Sequence, residues 1–347
     1  MVEKSTIYEV ARRSGVSTAT VSRVMQDGRG FSEQTRKRVL AVAAELGWVP
    51  NNAARSLAVR RAGIIGLLFP DLGIQTALEA ESPLYLDQVI RGAERAAARA
   101  GDGILIAATR GSAGLELAWS VAGKVDGLVV LAGSLGHKDL AAITRSVPVV
   151  LLATSAGGEH DFVAADNRTG AREITRHLLT DHGYTDLAFI SGPARSPDSG
   201  ERFAGYQEAL AEAGLPVPRM PDARGGFTAE GGRRAMRQLL LTRPTPPRAI
   251  VIGNDEMAVA GLAVLAEHGL NVPDQVAVTG FDDITLARHV SPGLSTVRQP
   301  MRESGERAVG MLLDRLSDPN GARRSLMLPT ELVLRSSCGC PPTTTRP

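Results

Sequence analysis

Residues 6–24 read TIYEVARRSGVSTATVSRV, and this stretch decides the fold of the N-terminal part of the chain. Thr6 and Glu9 have the spacing of a capping box, in which the hydroxyl accepts from the Glu9 backbone N–H and the carboxylate reaches back. The pattern predicts a helix over residues 7–14. Gly15 then supplies the left-handed conformation that ends such a helix.

A second helix follows directly, because Ser17 is a good N-cap for residues 18–25. The valines of both helices form apolar stripes that can pack on each other. A third helix is predicted from its cap at Ser32 through Leu46, and it closes the small core. A helix, a tight glycine turn and a second helix at this spacing indicate a helix-turn-helix.

In this motif the first residues of the second helix enter the major groove. Arg23 can pair with guanine through two hydrogen bonds, and Thr18 or Ala19 can contact a thymine methyl. The predicted DNA-contacting residues of the head are Thr6, Ser17, Thr18, Ala19, Thr20, Ser22 and Arg23.

The net charge of the chain also differs between the helix-turn-helix head and the rest of the chain. Residues 1–61 contain eleven basic and five acidic residues, a net charge of +6, and the remainder carries −4. A basic head on a mildly acidic body indicates that the head meets a polyanion. Two alternatives, a solubilising basic arm and a three-helix bundle that binds no nucleic acid, fit the apolar periodicity and the charge less well.

The 347 residues, 43% of them hydrophobic, are enough for two or three domains. The first ten residues lack a signal-peptide pattern and the longest apolar runs, such as Ile64–Phe69, are too short to span a membrane, so a cytoplasmic protein is expected. Cys338 and Cys340 provide too few ligands for a zinc site, and no histidine is near them in sequence. We therefore expect free thiols, no metal and no cofactor.

The body alternates short apolar runs with amphipathic segments, which predicts parallel sheets with helices on both faces. The predicted strands are Ile64–Phe69, Gly103–Ala107, Gly127–Leu131, Val147–Leu152, Leu187–Ser191, Ala249–Gly253 and Val276–Gly280. The predicted helices include Leu86–Ala100, Thr169–Asp181, Arg202–Ala213 and Met257–His268. The sequence contains no Gly-x-Gly-x-x-Gly motif after a strand and no Walker loop, so nucleotide chemistry is not supported.

Polar side chains follow several of these strands, where parallel sheets bind their ligands. They are Asp166 with Asn167, Asn254 with Asp255, Asp282 with Asp283, and Arg202. Carboxylate, amide and guanidinium groups can bond the adjacent hydroxyls of a sugar, and Tyr85, Phe227 and Phe281 can cover its apolar faces. Helix capping is the alternative role for Asn254, Asp255 and Asp282.

The run from Thr6 to Val24 resembles the opening of the LacI/GalR family of bacterial regulators. Further matching residues are Ser32, Thr35, Arg36, the run Leu46-Gly47-Trp48-Val49-Pro50-Asn51, Ala54 and Leu57. The resemblance implies that a short hinge helix, capped by Asn51, enters the minor groove and that Leu57 wedges between base pairs. Asn51, Ala54, Leu57 and Ala58 are the predicted hinge contacts. Alternatively, Leu57 packs the linker onto the body.

For the body, the resemblance implies a periplasmic-binding-protein-like fold with two lobes that clamp an effector. The implied ligand contacts are Arg202, Phe227, Asn254 and Asp282, with Tyr85 and Phe281 added from their positions. The sequence departs from the family after Leu152, where Ala153-Thr154-Ser155 replaces a strongly polar group. The contribution of the first lobe is therefore open.

The fold class expected is a small all-α helix-turn-helix head on an α/β body of two doubly wound parallel-sheet lobes. The expected divisions are a head at 1–49, a hinge at 50–61, a body at 62–340 and a tail at 341–347. Within the body, lobe 1 is expected at 62–163 and 294–322, and lobe 2 at 164–293 and 323–340.

The function expected is that of a transcriptional repressor, controlled by a sugar or sugar derivative, that binds an inverted-repeat operator in double-stranded DNA. A homodimer is expected, because residues 335–347 contain no leucine and three prolines and cannot form a coiled coil. Three other functions are alternatives. An enzyme lacks a catalytic motif around its six scattered histidines, a transport binding protein does not account for the head, and a regulator controlled by a protein partner remains open. Whether the effector releases or strengthens DNA binding is also open.

Overall fold

The structure is a computed structural model, and it describes residues 6–26, 31–48, 61–70, 84–109, 114–154 and 159–341. The chain forms two compact units that divide between Ala62 and Gly63. The first unit contains the head and the second contains the body.

The head is made of α1 (Ile7–Ser14), α2 (Thr18–Gln26) and α3 (Glu33–Glu45). The predicted caps are confirmed: the Thr6 hydroxyl accepts from the Glu9 backbone, Gly15 has a φ of 66°, and the Ser17 hydroxyl accepts from the Thr20 backbone at 3.1 Å. The buried core consists of Val10, Ala11, Val21, Val24, Val39 and Ala43. A core this small needs all three helices, so the head folds as one unit.

The first lobe of the body contains a six-stranded parallel sheet in the order β11-β5-β4-β3-β1-β2. Its strands are β1 (Ile64–Pro70), β2 (Gly103–Thr109), β3 (Gly127–Leu131), β4 (Val149–Leu152), β5 (Asp161–Ala165) and β11 (Ser325–Leu328). Its helices are α4 (Leu84–Ala100), α5 (Gly114–Ala122), α6 (His137–Ile143) and α11 (Met301–Ser317). One apolar cluster lies on each face of the sheet, as the nearly continuous apolar strands predict.

The second lobe contains a four-stranded parallel sheet in the order β7-β6-β8-β9. Its strands are β6 (Leu187–Ser191), β7 (Ala223–Arg224), β8 (Ala249–Ile252) and β9 (Ala277–Thr279). Its helices are α7 (Asn167–Thr180), α8 (Pro197–Glu212), α9 (Ala229–Thr242) and α10 (Asp255–Glu267). An antiparallel pair, β10 (Thr296–Arg298) with β12 (Glu331–Val333), runs beside this lobe. The fold class is as predicted.

Two of the expected lobe boundaries differ in the structure. Ser325–Leu328 pairs with β5 in the first sheet, so lobe 1 extends to Leu328 and does not end at residue 322. Leu294 and Val297 are buried in the cores of lobe 2, so the return to lobe 1 comes at Met301 and not at residue 294. A strand this short at a sheet edge has a weak sequence signal, because only four residues lie between Arg324 and Pro329.

Helices α7 and α8 pack unusually closely, and this contact positions the site described below. A Cβ atom on Gly205 would overlap the carbonyl oxygen of Arg168, so only glycine permits the approach. The close contact brings Arg202 on α8 beside Asn167 at the start of α7.

Candidate functional site

A cavity of about 390 Å³ lies between the two lobes, at the carboxyl ends of both sheets. Its volume is within the usual range for small-molecule sites. Lobe 1 contributes Pro70, Tyr85, Leu86, Leu131, Ala132, Gly133 and Ala153. Lobe 2 and the crossover contribute Pro193, Arg195, Ser196, Asp198, Arg202, Gly226, Phe227, Asn254, Glu256, Asp282 and Gln299. The charged groups of the cavity therefore belong to one wall.

Arg202 is the centre of that wall, and its side chain is held on every side. Its Nε donates to Asn167 Oδ1 at 2.7 Å, and a terminal nitrogen donates to the Gly253 carbonyl at 2.5 Å. The guanidinium lies 3.8 Å from the centre of the Phe281 ring, a cation–π contact. The side chain is 3% exposed, so Arg202 presents a fixed group to the cavity.

Asp282 lies beside Arg202, with 3.3 Å between a guanidinium nitrogen and Oδ1. Gln299 donates to the same carboxylate at 2.5 Å. Burial raises the pKa of Asp282 to about 6, although Arg202 and Gln299 act to lower it. Its φ of 123° is a conformation that residues with side chains rarely adopt, so the fold holds the carboxylate in place at a cost in backbone strain. The Asp282 carboxylate contacts Arg202 and Gln299 and does not cap a helix, and it lines the cavity.

Asn254 caps a helix, the alternative role that the sequence left open, and it also lines the cavity. Its Oδ1 caps α10 by accepting from the Met257 backbone at 3.1 Å, and its Nδ2 donates to the Phe227 carbonyl at 3.2 Å. Phe227 has a φ of 66°, and its ring lies against Gly192, where a side chain would overlap it. This packing fixes the ring at the edge of the cavity.

Tyr85, Arg202, Phe227, Asn254 and Asp282 thus come together around one cavity, as the sequence analysis expected them to. Phe281 is the exception. It is 2% exposed and packs in the core of lobe 2, beneath Arg202. Because Phe281 immediately precedes the strained turn at Asp282, its ring points inward and supports the guanidinium, and it does not cover a ligand.

Asp198 was missed by the sequence analysis. It lies one helical turn before Arg202 on α8, accepts from Asn167 Nδ2 at 2.9 Å and lines the cavity. Burial raises the pKa of Asp198 to about 6, with Arg202 opposing the change. The i, i+4 spacing of an acid and an arginine in the Pro-Asp-Ser-Gly-Glu-Arg run was the available signal. Gln299 had no such signal, because it lies in the crossover.

Asp255, paired with Asn254 in the sequence, does not line the cavity. Its carboxylate accepts from the Thr296 hydroxyl at 2.6 Å and from the Ile284 backbone at 3.0 Å. Burial raises its pKa well above the ordinary range, and the neighbouring Asp282 adds to the effect. Asp255 ties α10 to the segment that carries Asp282.

In the head, the predicted contacts of α2 lie on an accessible surface. Ser17, Ala19 and Arg23 are exposed, and Thr18, Thr20 and Ser22 are half-buried. The Ser17 and Thr20 hydroxyls lie 2.9 Å apart, and the Arg23 guanidinium lies 5.4 Å from the centre of the Phe31 ring. Tyr8, 75% exposed on α1, is a further exposed aromatic that the prediction did not include. The predicted hinge contacts Asn51, Ala54, Leu57 and Ala58 lie outside the described residues.

Comparison with known proteins gives two family matches. Residues 6–51 match the bacterial regulatory proteins of the lacI family, and residues 176–338 match a periplasmic binding protein-like domain. Among the described residues, no helix is long and apolar enough to cross a membrane.

Relatives match over almost the whole chain. The ribose operon repressor of Escherichia coli (strain K12) is 33% identical over 339 residues, covering 96% of this chain and 99% of the relative. Catabolite control protein A of Priestia megaterium is 32% identical, covering 96% and 98%.

Solved structures agree with these relatives. The lac repressor dimer bound to operator and the anti-inducer ONPF has a TM-score of 0.80 at 27% identity, covering 97% of this chain and 99% of that one. The transcriptional regulator CelR in complex with cellobiose has a TM-score of 0.72 at 32% identity, covering 96% and 100%. With the helix-turn-helix head and the two-lobed body, these matches show that the chain belongs to the LacI family of bacterial transcriptional regulators.

Proposed function

We propose that this chain is a repressor whose operator affinity is set by a neutral sugar or sugar derivative bound between the lobes of its body. The observation that carries the proposal is the convergence of Arg202, Asp198, Asp282 and Asn254 on one wall of a 390 Å³ cavity. Their donors and acceptors are fixed by neighbours before any ligand binds, which lowers the entropic cost of binding.

The charge of the cavity favours a neutral ligand over a phosphorylated one. Three acids line it, Asp198, Glu256 and Asp282, against two arginines. Arg202 already lies beside Asp282, so a phosphate would meet more negative than positive charge. Hydroxyl groups can instead donate to the carboxylates and accept from the guanidinium.

The opposite wall indicates the shape of the ligand. Lobe 1 contributes aliphatic side chains, glycine and the Tyr85 ring. Such a wall can pack against the apolar face of a sugar ring or against an apolar substituent. The names of two relatives, a ribose operon repressor and a regulator bound to cellobiose, support the sugar class without selecting the sugar.

A thermal-shift screen tests the proposed ligand class. A specific ligand stabilises the folded body by mass action, so neutral sugars and glycosides should raise its melting temperature in a saturable way. The sugar phosphates and nucleosides in the same screen should have no effect. Asp282→Asn should remove the shift, and Arg288→Gln, an exposed change in the same lobe, should retain it. A shift only with phosphorylated compounds, or one that Asp282→Asn leaves unchanged, would contradict the proposal.

We propose further that the protein acts as a homodimer on an inverted-repeat operator, with half-sites about 34 Å apart. Lobe 1 exposes Ile106 on the edge strand β2 and Leu117 and Trp119 on α5, and this apolar surface can be covered by a second copy. The lac repressor structure described above is a dimer on its operator. Light scattering at micromolar concentration should give a dimer, and random-site selection should return a palindrome. A tetramer, or a consensus with a single half-site, would contradict this proposal.

We expect the regulator to act in the cytoplasm, to have no catalytic activity, and to use the hinge contacts Asn51, Ala54, Leu57 and Ala58 at the operator centre. The ribose operon repressor and similar relatives are named as repressors and not as enzymes, which supports the expectation of no catalytic activity. Turnover of the sugar identified by the screen would contradict it. We expect effector binding to release DNA.

A further inference from the structure

Four side chains that can bind a metal lie close together in lobe 2, at the C-terminal end of α7. They are His177, His182, Cys338 and Cys340, and one ligand atom from each lies within 4.8 Å of the others. The two cysteines alone provide too few ligands for a metal. The fold adds both histidines, because the chain end returns to the C-terminal end of α7.

Four of the six distances between these ligand atoms are close to those of a tetrahedral zinc site, and the other two are no longer than 4.8 Å. With Zn–S near 2.3 Å and Zn–N near 2.0–2.1 Å, tetrahedral geometry places sulfur and nitrogen ligands about 3.6 Å apart and two nitrogens about 3.3 Å apart. The Nε2 atom of His177 lies 3.6 Å from the Cys338 sulfur and 3.4 Å from the Cys340 sulfur. The Nε2 atom of His182 lies 3.5 Å from the Cys340 sulfur and 3.1 Å from the Nε2 atom of His177.

The surrounding residues orient these ligands. Asp181 Oδ2 lies 2.7 Å from His177 Nδ1, so a carboxylate orients the imidazole with Nε2 directed at the two sulfurs, as in the carboxylate–histidine–zinc arrangement. The Tyr184 ring stacks on His182, with centroids 5.1 Å apart, and Arg248 holds the Tyr184 hydroxyl at 3.0 Å. The Ser295 hydroxyl donates to the Cys338 sulfur at 3.1 Å.

The backbone between the cysteines also fits a metal site. Gly339 has a φ of 101°, a left-handed conformation, and a side chain there would press against Tyr184 and His182. Glycine therefore lets the Cys-Gly-Cys turn direct both sulfurs toward the imidazoles. Cys338 and His177 are buried, and His182 and Cys340 are half-buried, so the site is enclosed on one side and accessible on the other.

We propose that His177, His182, Cys338 and Cys340 bind one zinc ion that fastens the C-terminal segment of the chain to lobe 2. Two thiolates and two imidazoles in tetrahedral array are a typical ligand set for zinc. His177 lies ten positions, about 15 Å of helix, after Asn167, which bonds Asp198 and Arg202 of the cavity. The metal therefore has a structural role, independent of the effector proposed above.

Metal titration of the reduced full-length protein tests this site. After treatment with a chelator and its removal, Co²⁺ alone should bind close to one equivalent. It should give the intense visible bands of a tetrahedral site and a sulfur-to-cobalt charge-transfer band. Added Zn²⁺ should abolish both, and one equivalent of zinc should remain after gel filtration. Zinc added in buffer that contains no chelator should also raise the melting temperature of the body.

Single substitutions locate the metal. Cys340→Ser and His182→Gln should each remove the cobalt bands, whereas His289→Gln, an exposed histidine of the same lobe, should retain them. Asp181→Asn should keep one equivalent but weaken zinc binding about 10–100-fold, an effect that a merely packing role would not produce.

Three results would overturn the proposal. In the first, the wild-type protein retains no zinc and gives no tetrahedral cobalt spectrum. This is the result expected if the thiols and imidazoles only hydrogen-bond to one another. The second is zinc binding that Cys340→Ser and His182→Gln leave intact. The third is a Cys338–Cys340 disulfide that persists in the reduced, metal-treated protein. None of these outcomes bears on the effector cavity, which the sugar screen tests separately.

Discussion

Gly192→Ala changes one atom at the edge of the cavity and tests the assigned position of Phe227. A Cβ atom on Gly192 would lie 2.6 Å from Phe227 Cδ1, with two further ring atoms closer still. Ordinary carbon–carbon contacts are about 3.5–4.0 Å. The ring must therefore retreat by about 1–1.5 Å, and because it lines the cavity, it moves toward the space proposed for the effector.

The expected size of the effect follows from packing energetics. Overpacking of this kind costs about 1–3 kcal/mol, which corresponds to a roughly 5–150-fold loss of effector affinity if the strain falls on the bound state. Isothermal titration calorimetry with the sugar found by the screen measures this loss. Operator affinity without effector should not change.

Two controls make the measurement specific. Gly200→Ala lies in open space on the exposed side of α8, so it should leave effector affinity unchanged and stabilise the body by about 0.5–1 kcal/mol. In a Phe227→Leu background, Gly192→Ala should lose most of its effect, because the ring that it displaces is gone. The reasoning is refuted if Gly192→Ala binds the effector as tightly as wild type, or if its loss persists in full without the Phe227 ring.

Three further predictions concern the head, the hinge and the buried acid. Arg23→Ala should cost about 1–3 kcal/mol of operator affinity and relax specificity at one position per half-site, whereas an equal loss on random DNA would mean that Arg23 holds only phosphate. Leu57→Ala should weaken operator binding but not effector affinity in the free protein, and calorimetry that shows both to fall would disprove the wedge. Burial raises the pKa of Asp282 from an ordinary 3.8 to about 6 in the folded protein, so the free energy of unfolding falls as pH rises from about 4 to about 6 and then levels off. Asp282→Asn should therefore gain about 2 kcal/mol of stability relative to wild type between about pH 4.5 and about pH 7.5, and a pH-independent difference in denaturant unfolding would contradict the assignment.

Local signals in the sequence were enough to predict the head. Thr6, Gly15, Ser17 and Ser32 each determine a helix end through backbone hydrogen bonds or a left-handed turn, and the structure has all four in those roles. The alternating body was equally predictable, because strands buried on both faces have nearly continuous apolar sequences.

Contacts between distant segments were harder to predict. Gln299 reaches Asp282 only through the crossover after β10, and Asn167 reaches Asp198 and Arg202 only through the packing of α7 on α8, and no local pattern specifies either contact. Phe281 was placed at the cavity because it precedes Asp282, but the positive φ of Asp282 turns the two side chains to opposite sides. The cysteine pair was judged without His177, more than 150 residues away in sequence.

The central claim is that effector bound between the lobes changes the operator affinity of the head. The most direct measurement is the operator dissociation constant with and without saturating effector, for wild type and for Asp282→Ala. Wild type should change by about 5–150-fold, the range of a 1–3 kcal/mol coupling, with weaker binding when effector is present. Asp282→Ala should bind the operator as tightly as effector-free wild type and should not respond. A full response in Asp282→Ala at unchanged effector affinity would contradict the account, because the effector would then bind elsewhere.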